Sequence, residues 1–295
     1  MITAQLLYGH LLGELSQVEG LSVRHQEPMA LHCVWRVGGP VLYLVAETEQ
    51  AAKECATLCA SAKLRVRPFD GPSALVRDGG DELAWLRIGA PALGFEVDEE
   101  QVHIGAQLPA AVASRRMAAL GFSGLEALSG QSGTLADAVR SGQVKSQHLR
   151  CLRGRRVSVT EKLGDHHHLM VVSLPLVASG VKVVQGAGRG VMAKRRQVGP
   201  GLPGPLLQDP KRGTAAERMA ESGLCGVRLR GLQIGLFEPN QVINRSGEGS
   251  VQDLLLLLKL GQDRVKSRTG VVLDSALTPR GRNASSNGGK GRGRR

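Results

Sequence analysis

Apolar residues in the first half of the chain recur with two periods, one typical of helices and one typical of strands. Between residues 2 and 19 they recur every three to four positions, which predicts an amphipathic helix. Thr48 can cap a second helix that extends to about Ala62, and Pro109 opens a third that Gly121 ends. Short apolar runs predict strands at residues 41–45, 64–67, 84–88 and 102–104. Short strands that alternate with helices indicate an α+β fold.

The second half of the chain also alternates predicted strands and helices, with an interruption at residues 179–210. Strands are predicted at residues 149–160 and 169–177, and a final strand at residues 271–277. Between residues 179 and 210 glycine, proline and basic residues dominate and the period is lost, which predicts a domain boundary. Beyond it, Thr214 and Glu217 form a capping box for a helix to Gly223. Ser250 and Asp253 form a similar start for a helix through Arg268 that Gly270 ends.

Length and hydropathy exclude two classes of protein. A chain of 295 residues with 42% hydrophobic residues can bury the cores of about two domains, so disorder throughout is excluded. The longest apolar run, residues 254–258, is far below the ~20 residues that cross a bilayer. The first twelve residues lack the basic start and cleavage site of a signal peptide. We therefore expect a cytoplasmic protein that does not span a membrane.

The charge is strongly positive but unevenly placed. The formal net charge is +12, and residues 280–295 carry six basic side chains and no acidic one. This predicts a disordered basic tail over residues 279–295, able to contact polyanions weakly and without sequence preference. A basic interaction protein that also uses Arg153, Arg155 and Arg156 is an alternative function, although aromatic residues are not interleaved with these arginines.

Three sequence features could form a metal, redox or nucleotide site, but we interpret each as structural. The five cysteines are odd in number and form no Cys-x-x-Cys pair, so we interpret them as small buried hydrophobes. Adjacent histidines in Asp165-His166-His167-His168 would point to opposite faces of a strand, so they do not predict a metal site. The glycines of residues 186–190 lack the order of a nucleotide-binding loop, and we expect an ordinary loop there.

The order of several weak motifs carries a resemblance. They are Trp35-Arg36-Val37-Gly38-Gly39-Pro40, Arg67-Pro68-Phe69-Asp70-Gly71-Pro72-Ser73-Ala74 with Arg77-Asp78-Gly79-Gly80 after it, Gly130-Gln131-Ser132-Gly133-Thr134, Glu221-Ser222-Gly223-Leu224-Cys225-Gly226, Pro239-Asn240-Gln241-Val242-Ile243-Asn244 and Lys266-Ser267-Arg268-Thr269-Gly270. Together, over about residues 29–277, the chain resembles the UDP-N-acetylenolpyruvoylglucosamine reductase (MurB) family of peptidoglycan precursor synthesis.

The resemblance implies a two-part FAD-binding domain followed by a smaller α+β substrate domain. The corresponding limits are residues 1–67 and 68–179 for the flavin segments, 180–210 for a linker, and 211–278 for the substrate domain. It also implies a UDP-sugar as ligand, with NADPH needed only by an active reductase. The positions that match the family's FAD contacts are Arg36, Gly38, Gly39, Gly71, Ser73, Ala74, Gly133 and Thr134.

Departures from the family fall in the flavin loops. Where the family reads Gly-Gly-Gly-Ser-Asn against the FAD diphosphate, this chain has Asp70 and Pro72. Proline has no N–H to donate, and Asp70 adds a negative charge. Asp137 stands in the family's Gly-Gly-Ala stretch, and the Asn-Ala-Gly stretch has no counterpart near Arg140. We therefore expect FAD to bind poorly.

The catalytic positions depart further. Pro205 occupies the position of the family's serine proton donor, and Ala276 that of its glutamate. Arg156 and Ser158 match the family's Tyr-Arg-x-Ser motif only loosely. A catalytically impaired relative is therefore predicted, because general acid catalysis needs a proton-bearing group at the reacting carbon. The alternative is an active FAD- and NADPH-dependent reductase that uses substitutes such as Ser158, Arg156, Asp209 or Asp274.

Overall fold

The computed structural model describes the chain in three successive parts. It describes all residues except 1, 73–74, 80–82, 141–142, 145–147, 165–166, 197–205, 211, 276 and 278–295. The predicted basic tail and the catalytic positions Pro205 and Ala276 thus lie outside the described residues, as do Ser73 and Ala74.

The first part is a four-stranded sheet covered on one face by two helices. Its elements are, in chain order, α1 (Ile2–Ser16), β1 (Leu21–Pro28), β2 (Pro40–Ala46), α2 (Glu49–Ser61), β3 (Val66–Pro68) and β4 (Ala84–Ile88). The strand order is β1-β2-β4-β3, with β2, β3 and β4 parallel and β1 antiparallel to β2. Alternate residues of β2 and β4, such as Leu44 and Leu86, pack against Leu15 and Cys55 of the helices. The Thr48 side chain caps α2, as predicted.

The second part is a five-stranded antiparallel sheet with helices on one face. Its elements are β5 (Phe95–Val97), β6 (Gln101–Gly105), α3 (Ala110–Leu120), α4 (Leu135–Arg140), β7 (His148–Arg153), β8 (Arg156–Thr160), β9 (His168–Pro175) and α5 (Val181–Arg196). The strand order is β5-β6-β9-β7-β8, so β8 is an outer strand. Ile104, Met117, Leu135 and Val172 meet in its core.

The third part is a small sheet under a long helix. Its elements are α6 (Ala215–Glu221), β10 (Arg228–Leu229), β11 (Leu232–Ile234), β12 (Val242–Asn244) and α7 (Val251–Thr269). Both predicted capping boxes are present, at Thr214 with Glu217 and at Ser250 with Asp253. Cys33, Trp35, Val37 and Leu75 of the first part are buried in the same core as Leu254 and Leu257 of α7.

Two polar side chains also join the third part to the first. The Asp78 carboxylate accepts hydrogen bonds from the backbone N–H groups of Val251 (2.7 Å) and Gln252 (3.1 Å), at the start of α7. The buried Asn244 amide donates to the carbonyl oxygens of Trp35 (3.3 Å) and Arg36 (3.0 Å). The predicted domain limits stay predictions. The contacts of Asp78 and Asn244 bring together motifs that lie far apart in the sequence.

The prediction of a loop at residues 186–190 was wrong. These residues lie inside α5, which packs against α3 and occupies much of the stretch predicted as a linker. Three glycines lower the helix propensity, yet Val184 is buried and Gly188 lies directly over Ser129. Tertiary packing therefore stabilises a helix that composition argues against.

Two strand predictions also needed correction. Residues 149–160 are not one strand but the hairpin of β7 and β8, because Gly154 takes a positive φ of 57° and turns the chain. The described residues of 271–277 form no strand and make only an isolated bridge between Ser275 and Leu207. The strand at residues 84–88 and the helices that begin after Thr48 and Pro109 were predicted correctly.

Candidate functional site

The two loops that match the family's flavin loops meet at the carboxyl end of β3. Asp70 follows that strand and is buried, with only 3% of its side chain exposed. Its carboxylate is paired with the guanidinium of Arg140, at the end of α4, which is 11% exposed. Sequence analysis identified the Asp70 charge but not this cation, which offsets much of its repulsion toward an anion.

Arg140 connects this ion pair to a third segment. Its two terminal nitrogens donate to the carbonyl oxygens of Gly164 (3.3 Å) and His167 (2.7 Å). The guanidinium thus has acceptors on three separate segments of the chain, which fixes its orientation. Within the predicted histidine cluster, Asp165 and His166 lie outside the described residues, and His168 is the buried first residue of β9.

The loops are also hydrogen-bonded directly to each other. The Thr134 hydroxyl donates to the carbonyl oxygen of Asp70. The buried Gln107 amide donates to the carbonyl oxygens of Phe69 (3.1 Å) and Asp70 (3.3 Å). Gln107 was not predicted as a site residue. Its sequence signal is a polar residue in a short apolar stretch after a strand.

The first backbone N–H groups of α4 have acceptors within the protein. Those of Leu135 and Ala136 donate to the carbonyl oxygens of Leu108 (2.9 Å) and Ala106 (2.8 Å). That of Asp137 donates to the Thr134 hydroxyl at 3.2 Å. That of Ala138 donates to the Thr134 carbonyl oxygen, also at 3.2 Å. The loop equivalent to the family's second flavin loop therefore directs these donors inward.

Two predicted glycines are packed against the Asp137 side chain. A Cβ atom on Gly71 would collide with the Asp137 carboxylate and would lie 2.7 Å from the Thr134 hydroxyl. Gly133 has a φ of +100°, and a Cβ there would lie 3.0 Å from the same carboxylate. Glycine is thus required at Gly71 by a close contact between the two loops, and at Gly133 by its positive φ and a close contact within the second loop.

Arg36, Gly38 and Gly39 form part of a turn that lies beside these loops. Gly38 has a φ of +126°, and a Cβ there would lie 3.1 Å from the Met29 Cβ. The Gly39 N–H donates to the Arg77 carbonyl oxygen, while Arg36 is exposed. The Val34 N–H donates to the Pro72 carbonyl oxygen at 2.9 Å and so connects this turn to the first loop.

Two buried thiols, Cys33 and Cys151, lie near the site. Burial raises the pKa of Cys33, and the Asp137 carboxylate adds to that effect. Burial likewise raises the pKa of Cys151 to about 11, although Arg140 opposes it. The interpretation of the cysteines as buried hydrophobes is confirmed for Cys33, Cys55, Cys59 and Cys151, and was wrong for the exposed Cys225.

The remaining catalytic candidates are not gathered into a site. Arg156 and Ser158 are exposed on the outer strand β8, where Ser158 lies opposite Cys151. The Asp209 carboxylate accepts the Ala215 N–H at 2.8 Å, at the start of α6, and Asp274 is exposed. In the part of the chain that is described, no three His, Cys, Asp or Glu side chains converge as metal ligands. Nor is any helix there long and apolar enough to cross a membrane.

This α+β architecture matches the fold of a solved structure. The structure of MurB from Thermus caldophilus superposes with a TM-score of 0.71 at 20% sequence identity, over 88% of this chain and 100% of that one. The predicted fold class is therefore confirmed.

Sequence relatives share the same similarity. The chain is 27% identical over 288 residues to the UDP-N-acetylenolpyruvoylglucosamine reductase of Chloroflexus aggregans, which covers 86% of this chain and 96% of the relative. For the reductase of Alkalilimnicola ehrlichii the identity is 26% over 282 residues, or 85% and 92% of the two chains. No family model matches the sequence. Over most of its length the chain is thus similar to UDP-N-acetylenolpyruvoylglucosamine reductases (MurB), in agreement with the resemblance of its motifs.

Proposed function

We propose that this protein keeps the MurB scaffold but does not carry out flavin-dependent reduction, because its two flavin loops bind each other instead of a dinucleotide. The observation that carries the proposal is the direct closure of the loops through Asp70, Thr134 and Arg140. The closure is made between groups that lie 64 and 70 residues apart in the chain.

The residues present do not fit an FAD diphosphate. A diphosphate needs several N–H donors, whereas Pro72 has none and the N–H groups of residues 135–138 already have acceptors. The Asp137 carboxylate lies against Gly71, where the two loops approach most closely. Each carboxylate beside a phosphate charge costs about 1 kcal/mol at ~4 Å even in water-like surroundings, and Arg140 offsets the charge of Asp70.

The catalytic positions support the same proposal. Pro205 and Ala276, the residues that align with the proton donor and the glutamate, have no proton to transfer. The loss of one general acid typically lowers a rate by about two to four orders of magnitude. Reduction would therefore be very slow even if a flavin were present.

The retained scaffold suggests a ligand class. The relatives are named for a UDP-sugar enolpyruvyl ether, and they match this chain over more than four-fifths of its length. We infer that the protein acts in the same peptidoglycan precursor context, as a UDP-sugar-binding relative without redox activity. The alternative, an active FAD- and NADPH-dependent reductase, uses the same UDP-sugar but also binds both cofactors and turns the sugar over.

One assay separates these two functions. Purified protein is mixed with NADPH, excess FAD and UDP-N-acetylglucosamine enolpyruvate, and NADPH oxidation is followed by absorbance. We expect no oxidation above the rate without the UDP-sugar. UDP-sugar-dependent oxidation, together with rescue of cells that lack the reductase, would establish the active enzyme instead. Calorimetry with the UDP-sugar alone tests ligand binding independently of turnover.

A further inference from the structure

A serine, a histidine and an aspartate form a hydrogen-bonded chain on the second sheet, away from the flavin loops. The Ser173 hydroxyl on β9 lies 2.8 Å from Nδ1 of His103 on β6. Nε2 of the same imidazole lies 2.8 Å from a carboxylate oxygen of Asp98. One tautomer satisfies both contacts, with Nδ1 accepting from the serine and Nε2 donating to the aspartate.

The backbone fixes all three groups. His103 and Ser173 are directly opposite in the register of β6 and β9. The second carboxylate oxygen of Asp98 accepts the N–H groups of Glu100 (2.9 Å) and Gln101 (2.6 Å). These hydrogen bonds, with that of Gln101 the strongest and that from His103 in support, hold the pKa of Asp98 below its ordinary value. Asp98 is therefore held by the backbone as an acceptor for His103.

The His103 and Asp98 side chains face solvent, whereas Ser173 is buried beside them. The imidazole is 36% exposed, Asp98 is 52% exposed, and Ser173 retains 8%. His148 on β7 lies opposite Ser173 on the other side and is exposed. The register thus places a second imidazole next to Ser173, where it can donate to an oxygen bound above the serine.

We propose that Ser173, His103 and Asp98 form a nucleophilic site that hydrolyses small carboxylic esters through an acyl-serine. A hydroxyl that donates to an imidazole, which is itself held by a carboxylate, is the arrangement that activates serine as a nucleophile. Pairing of β6 with β9 accounts for the contact between His103 and Ser173. The additional contact of His103 with Asp98 is the one that indicates chemistry. The proposal is independent of the proposed function, since it uses no residue of the flavin loops.

The reaction consumes only an ester and water. Ser173 Oγ forms a bond to the carbonyl carbon while its proton passes to Nδ1 of His103. The carbon–oxygen bond to the alcohol then breaks, and His103 returns the proton to the departing alcohol. Water next attacks the acyl-serine, again giving a proton to Nδ1. The bond between the acyl carbon and Ser173 Oγ breaks, His103 returns the proton to Oγ, and the carboxylic acid leaves. His103 is the general base, and Asp98 is a positioning residue.

The first test needs no variant. The full chain is treated with a fluorophosphonate, which phosphonylates activated serines, and the modified residue is located by mass spectrometry. We expect modification at Ser173. Absence of modification, or modification at other serines alone, would overturn the proposal.

The second test measures hydrolysis of p-nitrophenyl acetate. Ser173→Ala should abolish the protein-dependent rate, and His103→Gln should lower it about 100-fold. Ser22→Ala, which alters an exposed strand serine on β1, is the matched control and should leave the rate unchanged. Equal rates for Ser173→Ala and the unmodified protein would contradict the proposal.

A third variant examines the positioning residue. Asp98→Asn keeps an oxygen for the Glu100 and Gln101 N–H groups but offers no charge to the imidazole. We expect kcat to fall while KM and the melting temperature stay unchanged. A change in melting temperature with an unchanged kcat would identify Asp98 as purely structural and would count against the triad.

Discussion

At the scale of single residues, the buried pair of Asp70 and Arg140 has the largest expected effect on stability. Both side chains are almost wholly removed from water, and each is the charge partner of the other. Breaking such a pair leaves an uncompensated buried charge, which is far more costly than losing the attraction itself.

Arg140→Met should therefore lower the free energy of unfolding by about 3 to 5 kcal/mol. Arg150→Met is the matched control, because Arg150 pairs with Glu49 at 2.7 Å on the surface. That change should cost less than about 1 kcal/mol. Urea denaturation measures both, and equal effects would show that the Asp70 pair is not the stabilising contact we describe.

Glu27 gives a prediction about pH. A hydrogen bond from His32, at 2.8 Å, is the main cause that lowers the Glu27 pKa from its ordinary value of 4.5, with Arg24 contributing. Because the folded pKa is depressed, the ionised carboxylate stabilises the fold above about pH 4.5. This stabilisation is lost as the pH falls through the lower folded value.

Glu27→Gln should thus destabilise the protein by about 1 kcal/mol near pH 6 and by little near pH 3. Denaturation at the two pH values measures the difference, with the exposed Glu161→Gln as control. A destabilisation that stays constant between them would mean that the Glu27 charge contributes nothing.

The residues of the candidate site differ in how far sequence could predict them. Gly71, Gly133 and Thr134 were recognised from family motifs, and they do lie where the two loops meet. Gln107 and Arg140 were missed as partners because their acceptors lie 24 to 70 residues away in sequence. The period of apolar residues along the sequence does not indicate hydrogen bonds between distant segments. The fold has to bring the groups together first.

At the scale of elements, the glycine-rich composition of residues 186–190 predicted a loop, but these residues belong to the helix α5. Gly186 is exposed with nothing near its missing Cβ, whereas a Cβ on Gly188 would lie 2.8 Å from the Ser129 hydroxyl. The two glycines therefore differ only in what the helix packs against.

Gly186→Ala should stabilise the protein by about 0.5 to 1 kcal/mol, because alanine favours the helix. Gly188→Ala should be less stable than Gly186→Ala, since the same propensity gain is offset by displacement of Ser129. Thermal melting ranks the variants. Identical melting temperatures would show that this face of the helix is not packed as described.

Strands with long apolar runs were predicted, whereas the exposed outer strand β1 and the short strands of the third part were missed. Residues of β2 and β4 are almost all buried, so each is a continuous apolar run in the sequence. The outer strand β1 alternates irregularly and contains a bulge between Arg24 and Glu27, which removes the period of two. The final segment from Val271 has apolar residues but packs as irregular chain against α7.

At the scale of the whole molecule, the third part is held by the first rather than by a linker. Asp78 caps α7, and Asn244 binds the Trp35 and Arg36 carbonyl oxygens. The basic tail stands apart from this framework in the sequence, with no apolar residue larger than alanine.

Truncation after Pro279 should leave the melting temperature unchanged and should weaken retention on heparin. Tail contacts that are mainly electrostatic should also weaken steeply as salt increases. A truncated protein that melts several degrees lower would show that the tail packs on the body. It would also favour the alternative function as a basic interaction protein.

The central claim is that the flavin loops are closed on each other. Titration of the purified protein with FAD, followed by quenching of flavin fluorescence, tests it most directly. We expect no saturable binding of FAD in the low micromolar range and no flavin absorbance in the protein as purified. Stoichiometric flavin in the purified protein, or a low micromolar dissociation constant, would contradict it.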